Sequence, residues 1–182
     1  MQLPKILTNP NPTLRKRAQE IPVKDISSKT VQDLILTMKE VLKNSEDGVG
    51  LAAPQIGHSV RLFLVSEEAE AIDKELIEDE SEAKKPKVWK HYVFINPVIK
   101  KFSAKKVDMA EGCLSVPGVY GMVRRPEKIN VEWYDEHGVK HARGCSKFFA
   151  RVIQHESDHI DGILFIDKMH TELKAEKNSS RL

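Results

Sequence analysis

Cysteine is scarce. Cys113 and Cys145 are the only two in 182 residues, too few for a disulfide framework. Such usage fits a reducing compartment, where thiols serve as ligands or core residues. An excess of either charge is also missing. Lys and Arg number 29 against 27 Asp and Glu, a formal net charge of +2. That balance argues against a nucleic-acid footprint and against a membrane-surface role. No apolar run approaches membrane-spanning length. The opening MQLPKILTNPNP lacks the basic-then-apolar pattern of a signal peptide. These absences together predict a cytoplasmic protein. No repeat of fixed period interrupts the chain, and its length suffices for one domain with its own core.

What is present begins with a Pro-rich arm over residues 1–27, where repeated Pro forbids a long helix. Val31, Leu34, Ile35, Met38 and Leu42 then fall on one helical face, with Ser28 or Thr30 placed to cap it. VRLFLV at 60–65 and YVFINPVI at 92–99 read as strands, the second with an edge position or a bulge at Pro97. INVEWYD and VKHAR flank DEHG as a hairpin. Between Glu67 and Glu82 nine acids face one lysine, Lys74, and four lysines follow by Lys90. Segregated charge of this kind predicts a solvated surface insertion over about 67–90, with room for a short helix. A second long helix runs from about Ser146 past His159. The tail, ending KNSSRL, is polar. The expectation is one domain over residues 1–182, of the α+β class.

That second helix carries HESDH, residues 155–159. Side chains four apart point the same way, one turn above the other, so His155 and His159 can meet a single ion. Glu156 borders the same face and fits the general-base position of an H-E-x-x-H site. Two imidazoles leave such a site a ligand short. Cys113, in a loop-like stretch between Gly112 and Pro117, is the better candidate for the third. A lone cysteine is otherwise more often a small buried hydrophobe. A closed Cys113–Cys145–His155–His159 structural zinc site is the rival. Its cysteines are far apart where closed sites pair them within two to four residues, and it leaves Glu156 without a task.

Three stretches, in order, resemble the signature motifs of the peptide deformylases: GVGLAAPQIG at 48–57, EGCLSVPG at 111–118 and QHESDHIDG at 154–162. ILTNPNPTLRKRA, FINP and LFID are similar to that family's pattern as well. The resemblance implies antiparallel β-sheets around a central helix that carries the HExxH motif. It implies a hydrolase that removes the formyl group from the N-terminal formyl-methionine of new polypeptides and releases formate. Cys113, His155 and His159 would ligate one divalent metal ion per chain, Fe²⁺ by family expectation, with Zn²⁺ or another divalent ion able to replace it. Glu156 would act as acid and base, and Gln55 and the backbone N–H of Leu114 would stabilise the oxyanion. Val49, Gly50 and Gly112 would contact substrate backbone. The partners implied are N-formyl-methionyl nascent peptides and a transient encounter with the ribosome, though the short tail puts docking through it in doubt. No nucleic acid and no membrane are expected as partners. Leu51, Ile56 and Ile153 either line a methionine pocket or are plain core. Arg124 or Arg125 would meet an acidic group in the core or on the substrate. A generic metallopeptidase and a catalytically silent zinc-binding protein remain as rivals.

Overall fold

A computed structural model describes residues 3–45, 48–73 and 89–173. Among the described residues, eight strands and three α-helices make an α+β fold. The strands are β1 (Gly50–Ala52), β2 (Leu62–Ser66), β3 (His91–Phe102), β4 (Lys106–Glu111), β5 (Tyr120–Pro126), β6 (Lys128–Tyr134), β7 (Lys140–Ser146) and β8 (Met169–Leu173). The helices are α1 (Lys29–Lys43), α2 (Glu67–Asp73) and α3 (Lys147–Ile160). One sheet runs β1-β2-β3-β6-β7 and the other β4-β5-β8, and every pairing of named strands is antiparallel. No helix among the described residues is long and apolar enough to cross a membrane.

Both faces of the larger sheet are covered, and its central strands show why. In β2, Phe63 and Val65 turn towards α3, while Leu62 and Leu64 turn towards α1. β3 repeats the division, with Phe94 on the α3 side and Val93 and Ile95 on the other. A strand buried on both faces reads as a continuous apolar run, which is what LFLV at 62–65 is. Phe63 stacks on Phe94 at 4.9 Å between centroids, and Phe94 meets Trp133 at 4.7 Å. α1 starts where Ser28 Oγ accepts the Val31 N–H. It buries Val31, Ile35, Met38, Val41 and Leu42.

Pro97 sits at a bulge in the middle strand of the sheet, not at an edge. Asn96 before it takes φ 49°, and its carboxamide clamps both backbone groups of Ile21. Asn tolerates that left-handed conformation better than most residues. The 135–138 hairpin forms with Tyr134 opposite Lys140, and Asp135 Oδ1 accepts the N–H groups of His137 and Val139.

Residues 67–73, the start of the expected insertion, form a short helix, α2, whose Ala69 is fully buried beside Phe149 and Val152 of α3. Glu70 accepts hydrogen bonds from Tyr92 and Arg143. One small buried residue and one acid with two partners hold this helix, and the surrounding charge hides that in the sequence. The remainder of the expected insertion, 74–88, and the tail from 174 lie outside the described residues.

Candidate metal centre

α3 packs its aromatic and aliphatic stripe on the larger sheet and brings His155, Glu156 and His159 to a face shared with the loop after β4. The two imidazole rings lie 5.0 Å apart, edge to face. Cys113 follows β4 directly, and its Sγ is 3.2 Å from His159 Nε2. One ligand atom from each of Cys113, His155 and His159 lies within 4.8 Å of the others, the only such group of three or more among the described residues. Cys145 is not part of it. It is buried on β7 opposite Ile129, so the closed four-ligand arrangement does not form.

The donor set fits a divalent cation. Burial and the neighbouring imidazole push His159 well below the usual histidine range, which keeps it neutral and ready to ligate. Burial also lowers His155, but hydrogen bonds to Cys113 and Glu111 outweigh it and lift that ring to about 10. Burial pushes the Glu156 carboxyl up to about 7. Glu156 Oε2 and His159 Nδ1 are buried without a hydrogen-bond partner among the described residues. Orphaned polar atoms of this kind are costly unless water or an ion completes them.

The flanking motifs converge on the same place. Ala53–Ile56 form a short 3₁₀ turn that buries Gln55. Gln55 Oε1 accepts the Ala52 N–H at 2.8 Å, which turns Nε2 towards Ser115 Oγ at 3.1 Å and Cys113 Sγ at 3.8 Å. Ser115 donates its backbone N–H to Cys113 Sγ. Gly50 lies directly against Glu156, since a Cβ there would stand 2.5 Å from Oε1. The N-terminal arm braces both loops: the Leu7 N–H donates to Gln55 O and the Asn9 N–H to Ser115 O.

The polypeptide deformylase family model matches residues 3–175. The chain belongs to that family. It is 42% identical to the peptide deformylase of Christiangramia forsetii over 97% of this chain and 86% of that one. It is 38% identical to that of Leptospira biflexa over 93% and 89%. The crystal structure of the Thermotoga maritima peptide deformylase superposes with a TM-score of 0.75 at 30% identity, covering 93% of this chain and 99% of that one. A class I type b peptide deformylase from Acinetobacter baumannii gives 0.78 at 28% identity, over 93% and 100%. Members of this family are metal-dependent hydrolases that remove the N-formyl group from new polypeptides.

Val49, Gly50, Gln55, Gly112, Cys113, Leu114, His155, Glu156 and His159, separated in sequence, come from four places: the β1 edge, the turn after it, the loop after β4, and α3. Gly112 is pressed by the Tyr120 ring, 2.7 Å from where its Cβ would be. Leu114 packs with the α1 core, and the Val49 carbonyl accepts the Ser66 N–H. Leu51, Ile56 and Ile153 are buried in the core clusters. Of the two arginines, Arg125 is the buried one and meets Glu111, while Arg124 pairs with Asp108 at the surface. The residue sequence reasoning missed is Glu111. Its carboxylate receives Arg125, Arg151 and His155. The available signal was its place two residues before Cys113, in the same EGCLSVPG stretch.

Proposed function

We propose that Cys113, His155 and His159 hold one divalent metal ion, and that the formyl amide of N-formyl-methionyl nascent peptides is hydrolysed beside it, releasing formate. The observation that supports this most is the convergence of three donor atoms within 4.8 Å next to a buried Glu156 oxygen that lacks a partner among the described residues. When bound, such an ion lowers the pKa of water to about 7 and polarises a carbonyl as a Lewis acid.

Glu156 takes the proton of the attacking water and passes it to the departing amine as the formyl C–N bond breaks. Gln55 Nε2 and the Leu114 N–H donate to the carbonyl oxygen as its negative charge develops. One such donor is typically worth about 10²–10³ in rate. β1 is the edge strand of its sheet. Its free side at Gly50, with Val49 beside it, presents backbone to an extended peptide, the usual manner of strand addition, and Gly112 next to Cys113 also contacts the substrate backbone. The ion in the cell is Fe²⁺ by family expectation, and thiolate with imidazole also suits Zn²⁺. The compartment is the cytoplasm, with transient contact at the ribosome and no nucleic-acid binding of the chain's own.

The test is formate release from a formyl-Met tripeptide by protein purified without oxygen and assayed for metal, beside Glu156→Gln. The variant is expected to keep its metal and lose about 10²–10⁴ in rate. Full activity in the metal-loaded variant would remove Glu156 from its role. No formate from folded, loaded wild type would replace the enzyme by a scaffold. Cleavage of acetylated peptides or internal bonds would point to a general metallopeptidase.

A further inference from the structure

We infer that Glu111 is a positioning residue for the metal centre: it takes the Nδ1–H of His155, leaves Nε2 to face the ion, and ties the strand that delivers Cys113 to the helix that delivers both histidines. The inference rests on the metal-site reading above. It starts from an unusual concentration of buried charge. Glu111 is 7% exposed. Its Oε1 accepts Arg125 Nε at 2.6 Å and Arg151 Nη1 at 2.6 Å, and its Oε2 accepts Arg125 Nη2 at 2.9 Å. A carboxylate between two guanidiniums is ionised and can only accept. His155 Nδ1, 3.0 Å from Oε2, must therefore be the donor, which fixes its tautomer.

The cluster is anchored on both sides. Arg151 Nη1 and Nη2 also donate to the carbonyls of Val123 on β5 and Val107 on β4. Arg125 reaches across to Asp158 on α3 at 2.7 Å. The small sheet and α3 thus share one ionic seam, with Glu111 at its centre and Cys113 two residues further along the chain. The two histidines share a helix, so their spacing is set locally. The distance from Cys113 to either of them has no such guarantee, and Glu111 spans that gap. A purely structural ion cluster would stabilise the fold without touching metal affinity, and this difference decides the question.

The experiment uses the full chain stripped of metal, as wild type, Glu111→Asp and Glu111→Gln. Asp keeps the negative charge for both arginines but falls short of His155. Gln keeps the reach and loses the charge, and if either fails to fold the other carries the measurement. Zn²⁺ affinity is measured by competition with a chelator, the Co²⁺ visible spectrum is recorded, and urea unfolding reports the stability of the metal-free protein. The folded variants are expected to bind Zn²⁺ about 10–100-fold more weakly, the range for lost carboxylate–histidine partners, and to show an altered Co²⁺ spectrum. Folded variants with wild-type affinity and spectrum, and only lower urea resistance, overturn the inference alone. Wild type that takes up no Zn²⁺ or Co²⁺ overturns the metal-site reading and this inference with it.

Discussion

Gly50 has no side chain because Glu156 already occupies the place of one. A Cβ would stand 2.5 Å from Oε1 and 2.9 Å from Cδ. Gly50→Ala should therefore displace the carboxylate while leaving the three proposed ligands untouched. A displacement near 1 Å can cost about 10²-fold, so kcat/KM for a formyl-Met peptide should fall by about that factor at unchanged metal content. Wild-type kinetics would show that Glu156 tolerates the shift. Cys145→Ser separates the two cysteines in a single comparison. Burial raises the Cys145 thiol, which sits on β7 away from the ligand group. The variant should keep metal and rate and lose about 1 kcal/mol of stability; loss of metal would revive the closed four-ligand site. The proposed ligands could be read from the sequence because helix geometry fixes an i, i+4 pair, and because Cys113 lies in a motif. Glu111 was not, since its partners, His155, Arg125 and Arg151, stand 44, 14 and 40 residues away.

Among the elements, legibility followed burial on a regular period. α1 and α3 each carry an apolar stripe at helical spacing, and both form where that stripe places them. β2 announced itself as an unbroken apolar run because helices cover both its faces. The bulge at Pro97 was half legible: Pro demanded an irregularity, but only the Asn96 carboxamide bonds to Ile21 explain how a central strand accommodates it. The docking of α2 was illegible for the opposite reason. Three of its first four residues are acidic, and its hold on α3 rests on Ala69, with no side chain long enough to mark a stripe. That makes Ala69 sensitive. Ala69→Leu should overpack the α2–α3 contact at a cost of about 1–3 kcal/mol, read as a lower urea midpoint. An unchanged midpoint would mean that α2 is not held against α3 in solution.

For the whole molecule, the proposed metal centre is also a joint. Cys113 belongs to the side of the small sheet, His155 and His159 belong to α3, and the N-terminal arm closes over the loops between them. An unfolded chain cannot hold these three donors together, since Cys113 and His159 are 46 residues apart. The ion should therefore bind the native state almost exclusively, and binding free energy becomes folding free energy. At free metal one hundred times the dissociation constant the gain is about 2.7 kcal/mol. For a chain of this size that corresponds to a Tm about 5–11 °C higher than in chelated protein. Scanning calorimetry of loaded and chelated samples measures it, and His155→Ala should abolish most of the difference by removing a ligand from one side of the joint. If loaded and chelated wild type melt together, the ion is not shared between the sheet and the helix. The ionic seam through Glu111 would then hold these elements in register unaided.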